Sequence, residues 1–439
     1  MPLPFIAQLV FEGMPHGLDG WKTTYIISLL FTVAVVKWYM LGAPNTAERQ
    51  MHSKVVMITV RSSLSLSHFR PSTNNFQGGT TGIGAATALQ LAHRGAQIIL
   101  LVRQPASDPF IVEYIEDLRE RTNNQLIYAE QVDLSSTLSI RKFATKWVDN
   151  APPRRLDMIL LCAATLTPPG KKRVVTEEGV EETWMVNYLS NFHLLSILSP
   201  AIRAQPPDRD VRILLTTCSS YIRSPPFVTG EEAMDENLWS PGSAYARSKL
   251  ALMTFGHAFQ KHLDAYKRPD GLPMNARVIF VDPGHSRTAG MRRWLTRGSL
   301  SGLMVYLALW HQAWMWLKSA EQGAQSLLYA AMEITLGVGA GNKFIKECRE
   351  IDFARVDIRN ENMAQKIWEG SEKLIERVER EEAVKRAMEK KLKEKEKVVE
   401  LDEESEKLGQ GKKAKTRRKK KETEVSAGVG RPYTGGDAI

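Results

Sequence analysis

Six short runs of apolar, largely β-branched residues recur along the chain with helix-like stretches between them. They are VVMIT (55–59), QIILLVR (97–103), LIYAEQV (126–132), LDMILLCA (156–163), VRILLTTC (211–218) and ARVIFV (276–281). Strands that are apolar throughout, rather than alternating, must be covered on both faces. Strands separated by helices run parallel. The pattern predicts an α/β fold, a doubly wound parallel sheet of Rossmann type, as a single domain over residues 53–350. A length of 439 residues leaves room for flanking elements, and 43% hydrophobic with 25% charged residues is a globular composition.

The net charge of +10 raises the question of nucleic acid until it is located. Residues 412–421 (KKAKTRRKKK) carry eight of those charges, and subtracting them leaves +2 for everything else. The basic balance therefore describes a tail, with no folded reading surface behind it, and no specific nucleic-acid partner is expected. Residues 360–439 are rich in Glu, Lys and Arg with few aromatics. They predict a solvated charged helix, open to a coiled coil, followed by a disordered basic patch. The three cysteines cannot staple a secreted fold of this size. Cys162 and Cys218 end apolar runs and read as buried core thiols in a reducing compartment.

Residues 1–22 precede an apolar segment, 23–41, whose single formal charge is Lys37. Nineteen such residues are enough to cross a hydrocarbon core of ~30 Å. Trp21, Tyr25, Trp38 and Tyr39 fall where an interfacial aromatic belt would lie. The segment predicts a transmembrane anchor, and the bases Lys37, Arg49 and Lys54 place the main body in the cytosol. A signal peptide lacks its basic n-region here; a buried core helix is the alternative. A second uncharged stretch, Leu300–Leu317, contains Trp310, Trp314 and Trp316. A spanning helix there would sever the last part of the domain from its sheet. An interfacial helix walling the substrate entrance is therefore expected, against the alternative of a helix packed on the core.

The chemistry-bearing residues begin with Tyr245-Ala-Arg-Ser-Lys249. Positions i and i+4 share a helix face, and an ammonium beside a phenol is expected to lower the phenol's pKa. A strand ending in Cys218-Ser219-Ser220 places a hydroxyl at the crevice where such sheets bind ligands. Asn187 stands in an otherwise apolar helical stretch, and Pro283-Gly284 follows the sixth strand with Thr288 close behind. Gly78-Gly-Thr-Thr-Gly82-Ile-Gly84 leads into an amphipathic helix, the arrangement that lets backbone N–H groups approach a pyrophosphate. His257, His262 and His285 have no ligand spacing, and no metal is expected.

Together these motifs resemble the short-chain dehydrogenase/reductase family over residues 53–350. Its Thr-Gly-x-x-x-Gly-Ile-Gly pattern is met by Thr59, Gly78, Gly82, Ile83 and Gly84. The resemblance implies a catalytic tetrad of Asn187, Ser220, Tyr245 and Lys249, with Ser219 as the alternative serine. It implies cofactor contacts from Asp133 and Leu134 at the adenine, and from Pro283, Gly284 and Thr288 at the nicotinamide. Tyr245 and Lys249 serve the cofactor as well. By that resemblance Tyr245 is the acid/base, Ser220 binds the substrate oxygen, Lys249 lowers the phenol's pKa and holds the ribose, and Asn187 positions a water. The stretch Glu321–Tyr329 is similar to the retinol-dehydrogenase-like branch and its fungal membrane and lipid-droplet oxidoreductases. The implied function is alcohol–carbonyl interconversion on a lipophilic substrate of retinoid, sterol or fatty-carbonyl type. An endoplasmic-reticulum or lipid-droplet membrane and a homodimer are the settings it suggests. The cofactor is expected to be NADP(H), because the second strand ends in Arg103, where an acid would select NAD.

Two departures stand out. The family's Asn-Asn-Ala-Gly is Leu161-Cys162-Ala163-Ala164 here, losing the polar pair that steadies the central sheet. Residues 60–77 separate the first strand from its glycine turn. Removing those 18 residues joins Thr59 to Gly78 and restores the pattern. Valine codons begin GT, Phe76-Gln77 can be encoded TTTCAG, and Thr73-Asn74 can be encoded ACTAAC. These features predict a retained intron of a fungal-type gene; a genuine loop is the rival. The departures also leave open a non-catalytic membrane scaffold that binds partners through its charged C-terminal helix.

Overall fold

The computed structural model describes residues 20–60, 82–226 and 239–426. An apolar helix, α1 (Gly20–Leu41), opens the chain. Its stretch Thr24–Leu41 is long and apolar enough to cross a membrane, and none of it is buried.

The expected runs form six parallel strands: β1 (Val55–Thr59), β2 (Gln97–Val102), β3 (Ile127–Gln131), β4 (Met158–Leu161), β5 (Val211–Thr216) and β6 (Ala276–Asp282). Two further strands were not expected: β7 (Lys343–Lys346) and β8 (Arg349–Ile351), the last antiparallel. The sheet order is β3-β2-β1-β4-β5-β6-β7-β8. Met57 pairs with Ile99 on one side and Ile159 on the other, so β1 is central. The chain winds outward from β1 to β3, then crosses to β4 and winds the other way. This reversal opens a crevice at the carboxyl ends of β1 and β4.

The helices between strands are α2 (Ile83–His93), α3 (Pro109–Thr122), α4 (Thr137–Val148), α5 (Ser190–Arg203) and α6 (Pro241–Asp264). After β6 come α7 (Ala289–Leu295), α8 (Leu300–Ala308), α9 (Trp310–Trp316) and α10 (Ala320–Met332). Leu91 of α2 and Leu327 of α10 close one face of the sheet over Val56, Ile58 and Leu160. The stretch Leu300–Leu317 is therefore two short helices broken at Leu309, and none of its residues is buried. This excludes a helix packed on the core.

A last helix, α11 (Glu361–Ser426), begins inside the folded unit, which extends to Glu376. The Trp368 ring packs 5.4 Å from Phe192 on α5, edge to face, and 5.6 Å from Phe255 on α6, tilted. Ser371 Oγ lies 2.7 Å from the Tyr188 hydroxyl. The packed fold thus reaches past the expected end at residue 350. From Arg377 the second unit is helix up to Ser426. Straight-chain Glu, Lys and Arg lose little rotamer freedom in a helix, so charge alone does not prevent one.

One buried carboxylate pins the amino ends of the central strands. Asp157 accepts from the Val55 N–H (2.9 Å), from Arg155 Nε (2.6 Å) and from Lys54 Nζ (3.2 Å), and its side chain is wholly buried. Burial alone pushes its pKa up. The Arg155 and Val55 hydrogen bonds, with the charges of Lys54 and Arg155, outweigh that and hold the carboxyl below its ordinary value. A depressed folded pKa stabilises fully above the unfolded value of about 3.9, and this contribution is lost as pH falls through the folded one. Asp157→Asn is expected to cost about 2 kcal/mol in urea unfolding at neutral pH. The gap between variant and parent should narrow once pH falls below about 4.

Candidate active site

Helix α6 starts at a reciprocal cap. Ser240 Oγ accepts from Ser243 N (3.2 Å), Ser243 Oγ accepts from Ser240 N (3.2 Å), and Pro241 takes the first turn. Satisfying these end amides fixes where the helix begins, and so where Tyr245 stands one turn later. Lys249 is buried on the same face, with Nζ 5.7 Å from the Tyr245 ring centroid. Nζ donates to the Thr216 carbonyl (3.0 Å) at the end of β5.

Beyond Thr216 the chain turns through Cys218 into a short helical turn, Ser219–Arg223. The Cys218 thiol donates to the Tyr245 hydroxyl (3.7 Å), and its sulfur is 2.8 Å from Ser220 Oγ. Ser219 points elsewhere: its Oγ donates to Asp282 Oδ2 (2.7 Å) and accepts from Lys346 Nζ (3.1 Å). Ser220 rather than Ser219 therefore shares a surface with the phenol. Cys218 is half-buried beside that phenol and is not the core thiol its apolar run suggested.

The electrostatics differ from the sequence expectation. Burial pushes the Tyr245 phenol well above its ordinary value, and Cys218 and Asp282 push the same way. Burial pushes the Lys249 ammonium down, against the charges of Cys218, Cys162 and Asp282. Both groups are desolvated, and desolvation disfavours phenolate and ammonium alike. The expected lowering of the phenol by Lys249 is therefore reversed, and Tyr245 holds its proton through neutral pH.

Asn187 lies in a widened helical turn, Met185–Leu189, that leads into α5, and it is fully buried. Its Oδ1 accepts from Thr165 N (2.7 Å), and its Nδ2 donates to Thr165 O (3.0 Å) and Ser248 Oγ (3.0 Å). Ser248 Oγ in turn donates to the Tyr245 carbonyl (2.8 Å). The amide is thus engaged in bracing the chain after β4 against the tyrosine helix.

At the other end of the crevice, Gly82 caps α2 with φ of 116°, a conformation side chains rarely adopt, and among the described residues no side chain caps this helix. A Cβ on Gly82 would stand 3.8 Å from the Thr288 methyl, so the glycine turn faces the segment after β6. A Cβ on Gly84 would meet Cys162 Cβ at 3.1 Å and the Thr59 carbonyl oxygen at 3.7 Å. Ile83 packs beside them against the core. Thr59 is buried, and its Oγ1 accepts from Cys162 N (3.0 Å) and Ala163 N (3.1 Å). This hydroxyl ties β1 to β4 where the family's asparagine pair is missing, so it belongs to the wall and not to the lining. Thr288 Oγ1 caps α7 by accepting from Met291 N (3.3 Å). Gly284 N, next to Pro283, donates to Asp282 Oδ1 (2.9 Å).

Arg103, two-thirds exposed, donates through Nε to Asp133 Oδ2 (2.9 Å), with Leu134 buried beside it. Gly78 and residues 61–77 lie outside the described residues. Asp282 and Lys346 were missed in the sequence. A lone acid closing an otherwise apolar strand was the available signal, since a buried charge needs a partner.

These residues fit a dinucleotide. The N-terminus of α2, which has no side-chain cap among the described residues, offers N–H groups where Gly82 takes a left-handed φ and Gly84 is too close to Cys162 for a side chain, and Arg103 and Asp133 stand at the ends of the next two strands.

Comparison with known proteins agrees. The short chain dehydrogenase family matches residues 76–220. The uncharacterised oxidoreductase pbr1 of Schizosaccharomyces pombe is 39% identical over 389 residues, covering 87% of this chain and 97% of its own. Retinol dehydrogenase 13 of Mus musculus is 30% identical over 347 residues (78% and 89%), and polyprenol dehydrogenase of Homo sapiens is 29% identical over 298 residues (67% and 82%). The crystal structure of an uncharacterised Mycobacterium paratuberculosis protein shares the fold, with a TM-score of 0.51 at 22% identity over 76% of this chain and 98% of that one.

Proposed function

Since the chain belongs to the short-chain dehydrogenase/reductase family, in its retinol-dehydrogenase-like branch, we propose that it is a membrane-anchored, NADP(H)-dependent oxidoreductase that interconverts an alcohol and a carbonyl on a lipophilic substrate. The observation that carries the reading is the grouping of Tyr245, Ser220 and buried Lys249 at the carboxyl end of β5. The lipophilic substrate is supported by the exposed apolar helix α1 and by relatives named for retinol and polyprenol.

The bound cofactor supplies a hydride donor or acceptor. The orphan amides at the start of α2 would hold its pyrophosphate, Lys249 its nicotinamide ribose, and Arg103 its 2′-phosphate. In reduction, Tyr245 gives its proton to the carbonyl oxygen, a role that suits a phenol kept protonated by burial. Ser220 Oγ donates to the same oxygen as charge develops on it. Cys218, between the two hydroxyls, keeps them aimed at a common point. Thr216 and Ser248 fix the lysine and the tyrosine backbone, so little reorganisation accompanies the proton transfer.

Cofactor choice follows from Arg103. Its guanidinium is shared with Asp133, so a 2′-phosphate gains a charge-assisted partner but competes with that carboxylate. NADPH is expected to bind about tenfold more tightly than NADH, and Arg103→Asp should reverse the order. Fluorescence titration with both dinucleotides, followed by turnover on retinoid, sterol and fatty carbonyls, tests the reading. A parent chain that prefers NADH would overturn the NADP(H) assignment.

The cofactor-competent form is further proposed to join Thr59 directly to Gly78. In support, a Cβ on Gly84 would stand 3.7 Å from the Thr59 carbonyl oxygen, so the two lie close together, and the family match begins at residue 76, past β1.

A further inference from the structure

The helices α7–α9 lack any acidic residue. Between Asp282 and Glu321 the chain carries Arg287, Arg292, Arg293, Arg297 and Lys318 and no Asp or Glu, and residues 20–47 around α1 carry none either. Within this basic frame Leu300, Met304 and Leu307 are exposed, Leu300 by 83% and Met304 by 71%. Trp310, Trp314 and Trp316 are exposed as well. An apolar surface built from stretches that carry cations and no acid of their own fits the headgroup–acyl boundary of an anionic bilayer better than a protein face, which would bring charges of both signs.

The patch is joined to the anchor. Lys37 of α1 donates to the Trp314 carbonyl (2.5 Å) and stands 4.7 Å from the centroid of its ring. Arg287 stacks 5.0 Å from the Trp310 ring. The chain leaving α1 is bonded to the domain: Ala43 N donates to Glu347 Oε2 (3.2 Å), Asn45 N donates to Gln325 Oε1 (3.0 Å), and Lys318 pairs with Glu347. Gly42 has φ of 75°, and a Cβ there would collide with the Glu347 carboxylate, so this exit is built for glycine.

We propose that α8 and α9 seat in the surface of an anionic bilayer as one unit with α1, latched through Lys37 and Trp314. The unit holds the rim of the crevice beside Thr288 against the lipid. An amphiphilic substrate then reaches Tyr245 by lateral movement from the bilayer, without crossing water. This last step rests on the lipophilic-substrate reading; the membrane seating does not.

The test places spin labels at Met304→Cys and Leu307→Cys in the full chain, in phosphatidylcholine–phosphatidylserine bilayers. Val356→Cys serves as the exposed control, and background from the native thiols is subtracted. Collision with oxygen is compared with collision with a water-soluble nickel chelate. High oxygen and low nickel accessibility at 304 and 307, with the reverse at 356, is expected. Lys37→Ala should shift the 304 label toward the water-exposed signature while circular dichroism stays unchanged. Labels at 304 and 307 as open to nickel as the one at 356 would overturn the proposal. So would labels shielded from both reagents, which would mean that protein covers the face. No turnover enters this readout, so an inactive protein with seated labels would count against the proposed reaction alone.

Discussion

Tyr245→Phe should lower kcat about 10³-fold while leaving NADPH affinity within about twofold. The phenol hydroxyl meets Cys218 and, through it, the Ser220 hydroxyl. Removing it takes the proton donor from the reaction and leaves the ring, its packing and Lys249 in place. Lys249→Met should cost both parameters, because Nζ is also fixed to the Thr216 carbonyl and is assigned to the ribose. The pH dependence has a definite sign. Burial raises the phenol's pKa, so reduction, which needs the protonated form, should be flat from about pH 6 to 8. Oxidation needs the proton removed and should rise with pH across the same range. Initial rates in both directions over that range provide the check.

The second large effect concerns residues 60–77. The form that joins Thr59 to Gly78 should bind NADPH at least about 100-fold more tightly than the chain as it stands. Two or more charge-assisted hydrogen bonds to the pyrophosphate depend on the glycine turn leaving β1 directly, and each contributes about 1.5–3 kcal/mol. The flanking parts are already in place: β1 is buried at the sheet centre, Gly84 lies against the Thr59 carbonyl, and Gly82 faces Thr288. Isothermal titration of both forms measures the difference, and transcript sequencing reads its origin. Equal affinities, with transcripts that all encode 60–77, would mean that the segment is a genuine loop.

Much of the sheet could be read from the sequence, because β1, β2, β4, β5 and β6 are covered on both faces and their residues are apolar without alternation. The last two strands, β7 (KFIK) and β8 (REI), are short and carry charges, so no period marks them. Tyr245 and Lys249 were visible through helical spacing, but the direction of the phenol's shift was not. That direction depends on how deeply α6 is buried, which spacing does not encode. Ser219 and Ser220 could not be separated until the turn after β5 showed one bound to Asp282 and the other to Cys218. The pairing of Arg103 with Asp133 and the repair by Thr59 of the missing asparagine pair join residues 30 and more than 100 positions apart. Local pattern carries no trace of either. Leu300–Leu317 reads as one apolar stretch, whereas the chain breaks it at Leu309.

The proposed step is protonation of a lipophilic carbonyl oxygen by Tyr245 as a hydride leaves NADPH. It is tested most directly by isotope transfer. The form joining Thr59 to Gly78, in lipid bilayers, is given NADPH deuterated at the transferring position of the nicotinamide and a membrane-dissolved carbonyl substrate, and the product alcohol is analysed by mass spectrometry. One deuterium is expected on the carbinol carbon, transferred by the parent and slowed about 10³-fold with Tyr245→Phe. An alcohol without deuterium, or equal transfer by parent and variant, would contradict it.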